Sequence, residues 1–256
     1  MSELVLSAVC APIATLTLNR PARHNSLVPE LLRDLLAALE ALRTRPDLRA
    51  LVLCANGRSF STGGDVQAFY DHRDDLSVYA HEIVGLLNRV ILSMVAFPVP
   101  IVAAVHGLVT GGSLGFVLAS DLVLVTQDAS FTPYYAVVGF SPDGGWTAML
   151  PWVIGRQRAA EALLLNRTIT AQEAVDWGMA SRLVPSAGET RSIREEAYTA
   201  AEMIAGMNPG SVIRTKSLLW GDPAALAARL KAERQRFVEQ IVTPEALFGM
   251  EKFLRR

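Results

Sequence analysis

Apolar and polar positions change period several times along the chain, and each change marks an element. Near the N-terminus Ala14, Leu16 and Leu18 alternate with Thr15 and Thr17, the period of a strand buried on one face. A comparable stretch over residues 4–9 and a turn around Pro12 predict a hairpin. From Val28 the period lengthens. Leu31, Leu32, Leu35, Leu36, Leu39 and Leu42 recur at helical spacing, with Pro29 suited to a first turn. A short apolar run from Ala50 to Cys54 reads as a strand ending at the turn dipeptide Asn56-Gly57. A second amphipathic helix is carried by Leu76, Tyr79, Ile83, Leu86, Leu87, Val90 and Met94. A strand over 101–105, a glycine turn with a short helix over 111–119, and a strand over 122–126 follow. Strands alternating with helices predict an α/β core. Beyond Ala171 the pattern is almost wholly helical, with Pro209, Pro223 and Pro244 at expected helix starts.

No low-complexity linker divides the chain. The expected organisation is a core over residues 1–200 and a helical extension over 201–256 that packs on the core or on a neighbouring subunit. One stretch invites a membrane reading, because residues 97–120 hold no Asp, Glu, Lys or Arg and place Gly107, Gly111 and Gly115 at GxxxG spacing. Pro98, Pro100, His106 and the glycines themselves argue for a buried strand, a turn and a short core helix instead. The composition, 51% hydrophobic and 19% charged over 256 residues, is that of a globular protein. With 24 basic against 25 acidic residues and no Lys/Arg run, a small-molecule ligand is expected rather than nucleic acid. Cys10 and Cys54 are too few for a disulfide framework or a zinc site and point to a reducing, cytoplasmic setting. The first twelve residues carry no basic stretch followed by an apolar core, so no secretory signal is expected.

Two segments share one layout: an apolar strand runs into a turn with adjacent glycines that opens a helix. The first is residues 51–53 leading to Phe60-Ser61-Thr62-Gly63-Gly64-Asp65, and the second is residues 101–105 leading to Gly107 through Gly112. Glycine lets a ligand approach the peptide plane, and the first amides of a helix lack partners within it. Two such ends converging would aim two N–H donors at one oxygen, the requirement of an oxyanion hole. On spacing alone, glycine pairs after strands also serve as plain turns.

These same residues carry a resemblance. Leu18-Asn19-Arg20-Pro21, residues 49–53, Phe60 to Asp65, Ala103-Ala104-Val105-His106-Gly107 and Gly111-Gly112 resemble the crotonase (enoyl-CoA hydratase/isomerase) superfamily. The similarity continues through Ala119-Ser120-Asp121-Leu122, Pro142-Asp143-Gly144-Gly145, residues 150–155, Thr170 to Ala174, Trp177-Gly178-Met179 and the last dozen residues. The resemblance implies a spiral of ββα units assembled as trimers or dimers of trimers, with the extension contributing to assembly and to pocket closure. It implies an oxyanion hole from the backbone N–H groups of Gly64 and Gly112, where the family more often has alanine at the position of Gly64. It also implies an acyl-CoA held near Arg23, His24, Ser26, Ser61, Thr62, Gly63, Asp65, Val66, Leu108, Gly111, Tyr135 and Pro142, with no cofactor beyond the coenzyme A of the substrate and neither nucleic acid nor membrane as partner.

Hydration of a conjugated double bond works best with two carboxylates, one to orient water and one to handle the proton at C2. The positions matching the family's two hydratase glutamates are Gly115 and Tyr135, so both are absent. Between Val105 and Leu150 the acidic residues are Asp121, Asp128 and Asp143. Asp121 reads as a structural cap and Asp128 as part of a polar turn. Asp143 could equally cap a helix starting near Gly144. Yet it resembles the catalytic acid of the enoyl-CoA isomerases and of the ring-epoxide isomerases of phenylacetyl-CoA breakdown. Tyr134, Tyr135, Phe140 and Trp146 would surround it with low-polarity surface and raise its pKa towards neutrality. One such base can take a proton from one carbon and return it two carbons away, so isomerisation is the expected reaction. Hydration, thioester hydrolysis and a non-catalytic or RNA-binding member of the fold are the alternatives. Gly111-Gly112-Ser113-Leu114-Gly115 matches a nucleophile elbow, but all four histidines precede Ser113. His81-Glu82 opens like a zinc-protease helix, but Gly85 stands where the second ligand belongs.

Overall fold

The computed structural model describes residues 3–185 and 192–255. Its main sheet has six strands in the order β1 (Val5–Cys10), β2 (Ile13–Leu18), β3 (Ala50–Ala55), β4 (Ile101–Val105), β6 (Leu122–Thr126) and β9 (Arg182–Val184). β1 and β2 form the expected antiparallel hairpin, with Val5 opposite Leu18 and Cys10 opposite Ile13. Every later pairing in this sheet is parallel. A parallel sheet is covered on both faces, and its strands are therefore apolar at successive positions rather than alternate ones. In β3 all six residues are buried. Leu51 and Leu53 enter the main core, whereas Ala50, Val52 and Cys54 enter a smaller cluster on the opposite face.

The main core is built by α1 (Pro29–Arg43), α3 (Leu76–Val95) and α11 (Pro223–Ile241). Seven residues of α1 are buried, Pro29 and the six leucines of its stripe. α3 is long and apolar enough to cross a bilayer, at 20 residues and a mean hydropathy of 1.3, but it lies between α1 and α11. The charge-free stretch over 97–120 is divided among β4, β5 (Leu108–Thr110), a 3-10 turn at Gly111–Ser113 and α4 (Leu114–Leu118). The second face of the sheet is covered by α9 (Ile193–Ala205) through Ala197, Ala200 and Ala201. The boundary expected after residue 200 thus falls inside a helix that belongs to the core.

β5, β7 (Ser130–Thr132) and β8 (Ile169–Thr170) make a second, three-stranded sheet. The connecting helices are α2 (Val66–Asp71), α5 (Tyr135–Val138), α6 (Leu150–Ile154), α7 (Arg156–Leu164) and α8 (Ala171–Asp176). After α9 come α10 (Pro209–Trp220), α11 and α12 (Pro244–Leu254), each opening on its proline as expected. Among the described residues beyond Ala171, β9 is the exception to the helical pattern, a three-residue strand completing the sheet edge. Asp121 is structural, as expected. Its carboxylate accepts from Ile101 N–H, the buried Lys216 Nζ at 2.8 Å and Trp220 Nε1–H at 2.8 Å, fastening α10 to the start of β4.

Candidate active site

The two glycine turns meet. Ser61 pairs with β5, its N–H donating to Leu108 O while Thr110 N–H donates to Ser61 O. On either side of Gly64, Leu27 N–H donates to Gly63 O at 2.7 Å and Asp65 N–H donates to Leu27 O at 3.1 Å. Successive peptide groups in extended chain point to opposite sides. With Gly63 O and Asp65 N–H committed to Leu27, the Gly64 N–H faces the other way. Gly63 holds φ +71°, and a Cβ there would lie 2.4 Å from Thr110 O and 3.1 Å from Gly111 Cα. Only glycine allows the first turn to lie this close to the second. Asp65 then caps α2 through Ala68 N–H and accepts from Arg20 at 2.8 Å, Arg23 at 3.0 Å and Ser26 Oγ at 3.2 Å. Burial works to raise its pKa, but the two guanidinium hydrogen bonds prevail and hold it below the ordinary value.

The second turn is fixed from above by Trp146, whose indole N–H donates to Gly111 O at 2.7 Å. Gly112 packs against Leu87 and Asp143, so that a Cβ on it would lie 2.7 Å from Leu87 Cδ2 and 3.0 Å from Asp143 Oδ1. Gly144, at φ +60°, has no room for a side chain either, since its Cβ would lie 2.4 Å from Gly112 O. That backbone contact delivers the Asp143 carboxylate to the Gly111–Gly112 turn. No helix begins at Gly144. Residues 144–149 are turns and α6 opens at Leu150, so Asp143 does not cap a helix as its spacing had also allowed. Its side chain is only 6% exposed, and Oδ1 accepts from the Tyr135 hydroxyl at 2.6 Å. Burial pushes its pKa up to about 7; the Tyr135 hydrogen bond opposes the rise, and the negative charge of Glu233 adds to it. The same burial, with the Asp143 charge beside it, drives the Tyr135 phenol well above its ordinary value.

Gly64, Gly112 and Asp143 all line one cavity of about 420 Å³. Of the residues expected to hold the acyl-CoA, Arg23, His24, Ser26, Thr62, Asp65, Val66, Leu108, Gly111 and Tyr135 line it as well. Ser61, Gly63 and Pro142 do not. Ser61 is fully buried and its hydroxyl donates to Asn25 O, Gly63 is pressed onto Thr110, and Pro142 lies outside the lining next to Asp143. Phe69 and Phe237, which sequence reasoning did not find, pack with the expected Phe140 into a mutually packed aromatic wall. Phe253 and Leu254 of α12 add to the lining, so the extension reaches the pocket of its own chain. The nucleophile-elbow motif is inert: Ser113 Oγ is buried and donates to Ser61 O and Thr110 O.

The model of the enoyl-CoA hydratase/isomerase family matches residues 9–256. The chain belongs to that family. Its relatives within the family include a 4-chlorobenzoyl coenzyme A dehalogenase from Arthrobacter, 33% identical over 68% of this chain. That alignment spans 64% of the dehalogenase's own length. A 1,2-epoxyphenylacetyl-CoA isomerase from Escherichia coli is 32% identical over 72% of this chain and 71% of the relative. The crystal structure of an enoyl-CoA hydratase from Bacillus halodurans superposes with a TM-score of 0.90 at 25% identity, covering 97% of this chain and 99% of that one. The crotonase fold of this hydratase/isomerase family member thus brings Gly64, Gly112 and Asp143 to one cavity.

Sequence reasoning also missed Glu233 of α11, which is buried and fastens the turn after Asp143. A signal was present. Leu226, Leu230, Glu233, Phe237 and Ile241 fall at helical spacing on one buried face, and a carboxylate inside an apolar stripe requires a partner.

Proposed function

We propose that this family member is an enoyl-CoA isomerase acting on a 3-enoyl-CoA in fatty-acid or aromatic-acid catabolism, with Asp143 as its single proton shuttle. The thioester carbonyl oxygen takes the N–H groups of Gly64 and Gly112. Ionised Asp143 removes a proton from C2, and the electron pair moves onto the thioester oxygen as an enolate. The same proton is returned to C4, the double bond passes from C3–C4 to C2–C3, and Asp143 leaves the cycle ionised. Since Oδ1 holds the Tyr135 hydroxyl, Oδ2 is the oxygen that carries the proton.

The observation behind this reading is that one carboxylate of near-neutral pKa, Asp143, lies against Gly112, while Asp65, the other carboxylate in the lining, is held below its ordinary value by Arg20 and Arg23. At Gly115 a Cβ would lie 2.4 Å from Ile91 Cδ1 and 2.7 Å from Gly144 O, so no glutamate fits there without displacing the core. At the other hydratase position Tyr135 donates to Asp143 rather than adding a base. Exposed apolar side chains on α10 and α12, Leu218 and Leu219 above 80% exposed and Phe248 at 68%, support an assembly of three or six copies. The same reading places the enzyme in the cytoplasm with no cofactor beyond the coenzyme A of its substrate.

Three substrates given to the purified protein test the reaction. A 3-enoyl-CoA is expected to be converted to the conjugated 2-enoyl thioester, with little hydration of crotonyl-CoA and no chloride released from 4-chlorobenzoyl-CoA. Rapid hydration without isomerisation would replace this reading with that of a hydratase.

A further inference from the structure

Behind the catalytic turn stands a carboxylate that never touches the cavity. Glu233 is 5% exposed and lies on α11, 88 residues along the chain from Gly145. Its Oε2 accepts from Gly145 N–H at 2.9 Å, and its Oε1 accepts from Thr147 N–H at 2.7 Å, Thr147 Oγ1–H at 2.7 Å and Ala148 N–H at 2.8 Å. Four donors on one side chain satisfy nearly every lone pair it has. They also satisfy backbone amides that the turn over 144–149 leaves without helical partners. One turn earlier on α11, Arg229 donates to Thr147 O at 2.7 Å, so the helix grips this segment through both an acceptor and a donor.

We propose that Glu233 is a positioning residue for the catalytic carboxylate: by clamping residues 145–148 to α11 it fixes where Asp143 stands against Gly112. This inference rests on the isomerase reading for what Asp143 does, but the clamp itself is a matter of geometry. Gly144 touches the Gly112 backbone on one side and continues into the clamped segment on the other. Asp143 therefore hangs between two fixed points. Releasing the second frees the turn to drift, and a base displaced by a fraction of an ångström loses alignment with C2. Phe237, four residues along the same helix, lines the cavity, so one face of α11 both walls the pocket and aims its base.

The clamp also acts through charge. The ionisable groups acting on Asp143 are Tyr135 from α5 and Glu233 from α11, while α3 presents the neutral Leu87 to Gly112 and the Asn88 amide to Leu230 O. Glu233 is itself raised, by burial against the counter-effect of its four donors. Removing its negative charge leaves the buried Asp143 easier to ionise.

The test compares Glu233→Gln with the unaltered enzyme in two ways. In 13C-aspartate-labelled protein without substrate, the Asp143 carboxyl resonance, identified by its loss in Asp143→Asn, is titrated. In turnover, kcat and KM for the 3-enoyl-CoA are followed against pH. The expected result is an Asp143 midpoint lowered by about one unit and kcat reduced at least about tenfold, with KM held within about twofold because Glu233 does not line the cavity. A purely structural Glu233 would lower the melting temperature and leave the midpoint and kcat unchanged, and that result overturns the proposal. Should Glu233→Gln fail to fold, Thr147→Val removes one donor only. A fall in kcat at constant KM then supports the clamp, and an unchanged kcat rejects it. The carboxyl titration needs no turnover, so it judges the clamp even if the isomerase reading fails on its own substrates.

Discussion

Asp143 has to be buried to act as a base near neutrality, and burial sets a cost that can be measured without any substrate. Its folded-state pKa of about 7 lies above the ordinary value of 3.8, so the folded chain favours the neutral form. A raised carboxyl contributes its full stability below the unfolded value and loses it as pH rises through the folded one. Asp143→Asn abolishes that loss. The stability advantage of the variant over the unaltered protein is expected to be larger at pH 8 than at pH 5 by roughly 2–3 kcal/mol, read from urea unfolding at both. A pH-independent difference would show that the carboxyl titrates normally. At Gly64 the prediction concerns space. A methyl there would lie 2.7 Å from Phe69 Cε2, whose ring already packs on Tyr79, Phe140 and Phe237. Gly64→Ala is expected to cost about 1–3 kcal/mol through displacement of that ring, and Phe69→Leu in the same chain should recover most of it. The departure from the family's usual alanine thus has a local partner, an aromatic side chain occupying the vacated volume. Asp143 and the glycines were legible because their neighbours form ordered motifs; Glu233 was marked only by its place in the apolar stripe of α11, and its partners, three backbone amides and the Thr147 hydroxyl, leave no pattern that names them.

Among the elements, those whose period runs over many residues were legible and the shortest were not. The leucine stripe of α1 and the apolar face of α3 each repeat over several turns, and in the second strand of the hairpin Ala14, Leu16 and Leu18 alternate with Thr15 and Thr17. β5, β7, β8 and β9 have two or three residues apiece, too few to show a period, and they exist because neighbouring strands offer them backbone partners. α10 illustrates a tertiary tie that no pattern announces. Lys216 is its one buried residue, reaching Asp121, Met94 O and Val99 O, and its pKa is lowered by burial against the attraction of Asp121. Lys216→Met leaves Asp121 without its buried cation, and a loss of about 3–5 kcal/mol in unfolding free energy is expected. A loss below about 1 kcal/mol would mean that α10 is held by other contacts.

For the whole molecule, the sheet gives the two glycine turns their starting points and the C-terminal helices complete what the turns begin. α11 supplies Phe237 to the cavity and Glu233 to the turn after Asp143, and α12 supplies Phe253 and Leu254. The extension expected from sequence therefore helps line the candidate site and also carries exposed apolar side chains. Light scattering on the purified protein is expected to report three or six copies, and Leu218→Glu with Leu219→Glu should shift that mass downward. A monomer in the unaltered protein would leave those leucines without the role assigned to them.

The central claim is that Gly64 and Gly112 hold a thioester enolate while Asp143 moves its proton. The most direct measurement is hydrogen–deuterium exchange at C2 of a saturated acyl-CoA in heavy water, where no double bond is present to move or hydrate. The unaltered protein should catalyse that exchange with an acid limb near pH 7, and Asp143→Asn should slow it on the order of a thousandfold while acyl-CoA affinity holds. Exchange at an undiminished rate in Asp143→Asn would contradict the account.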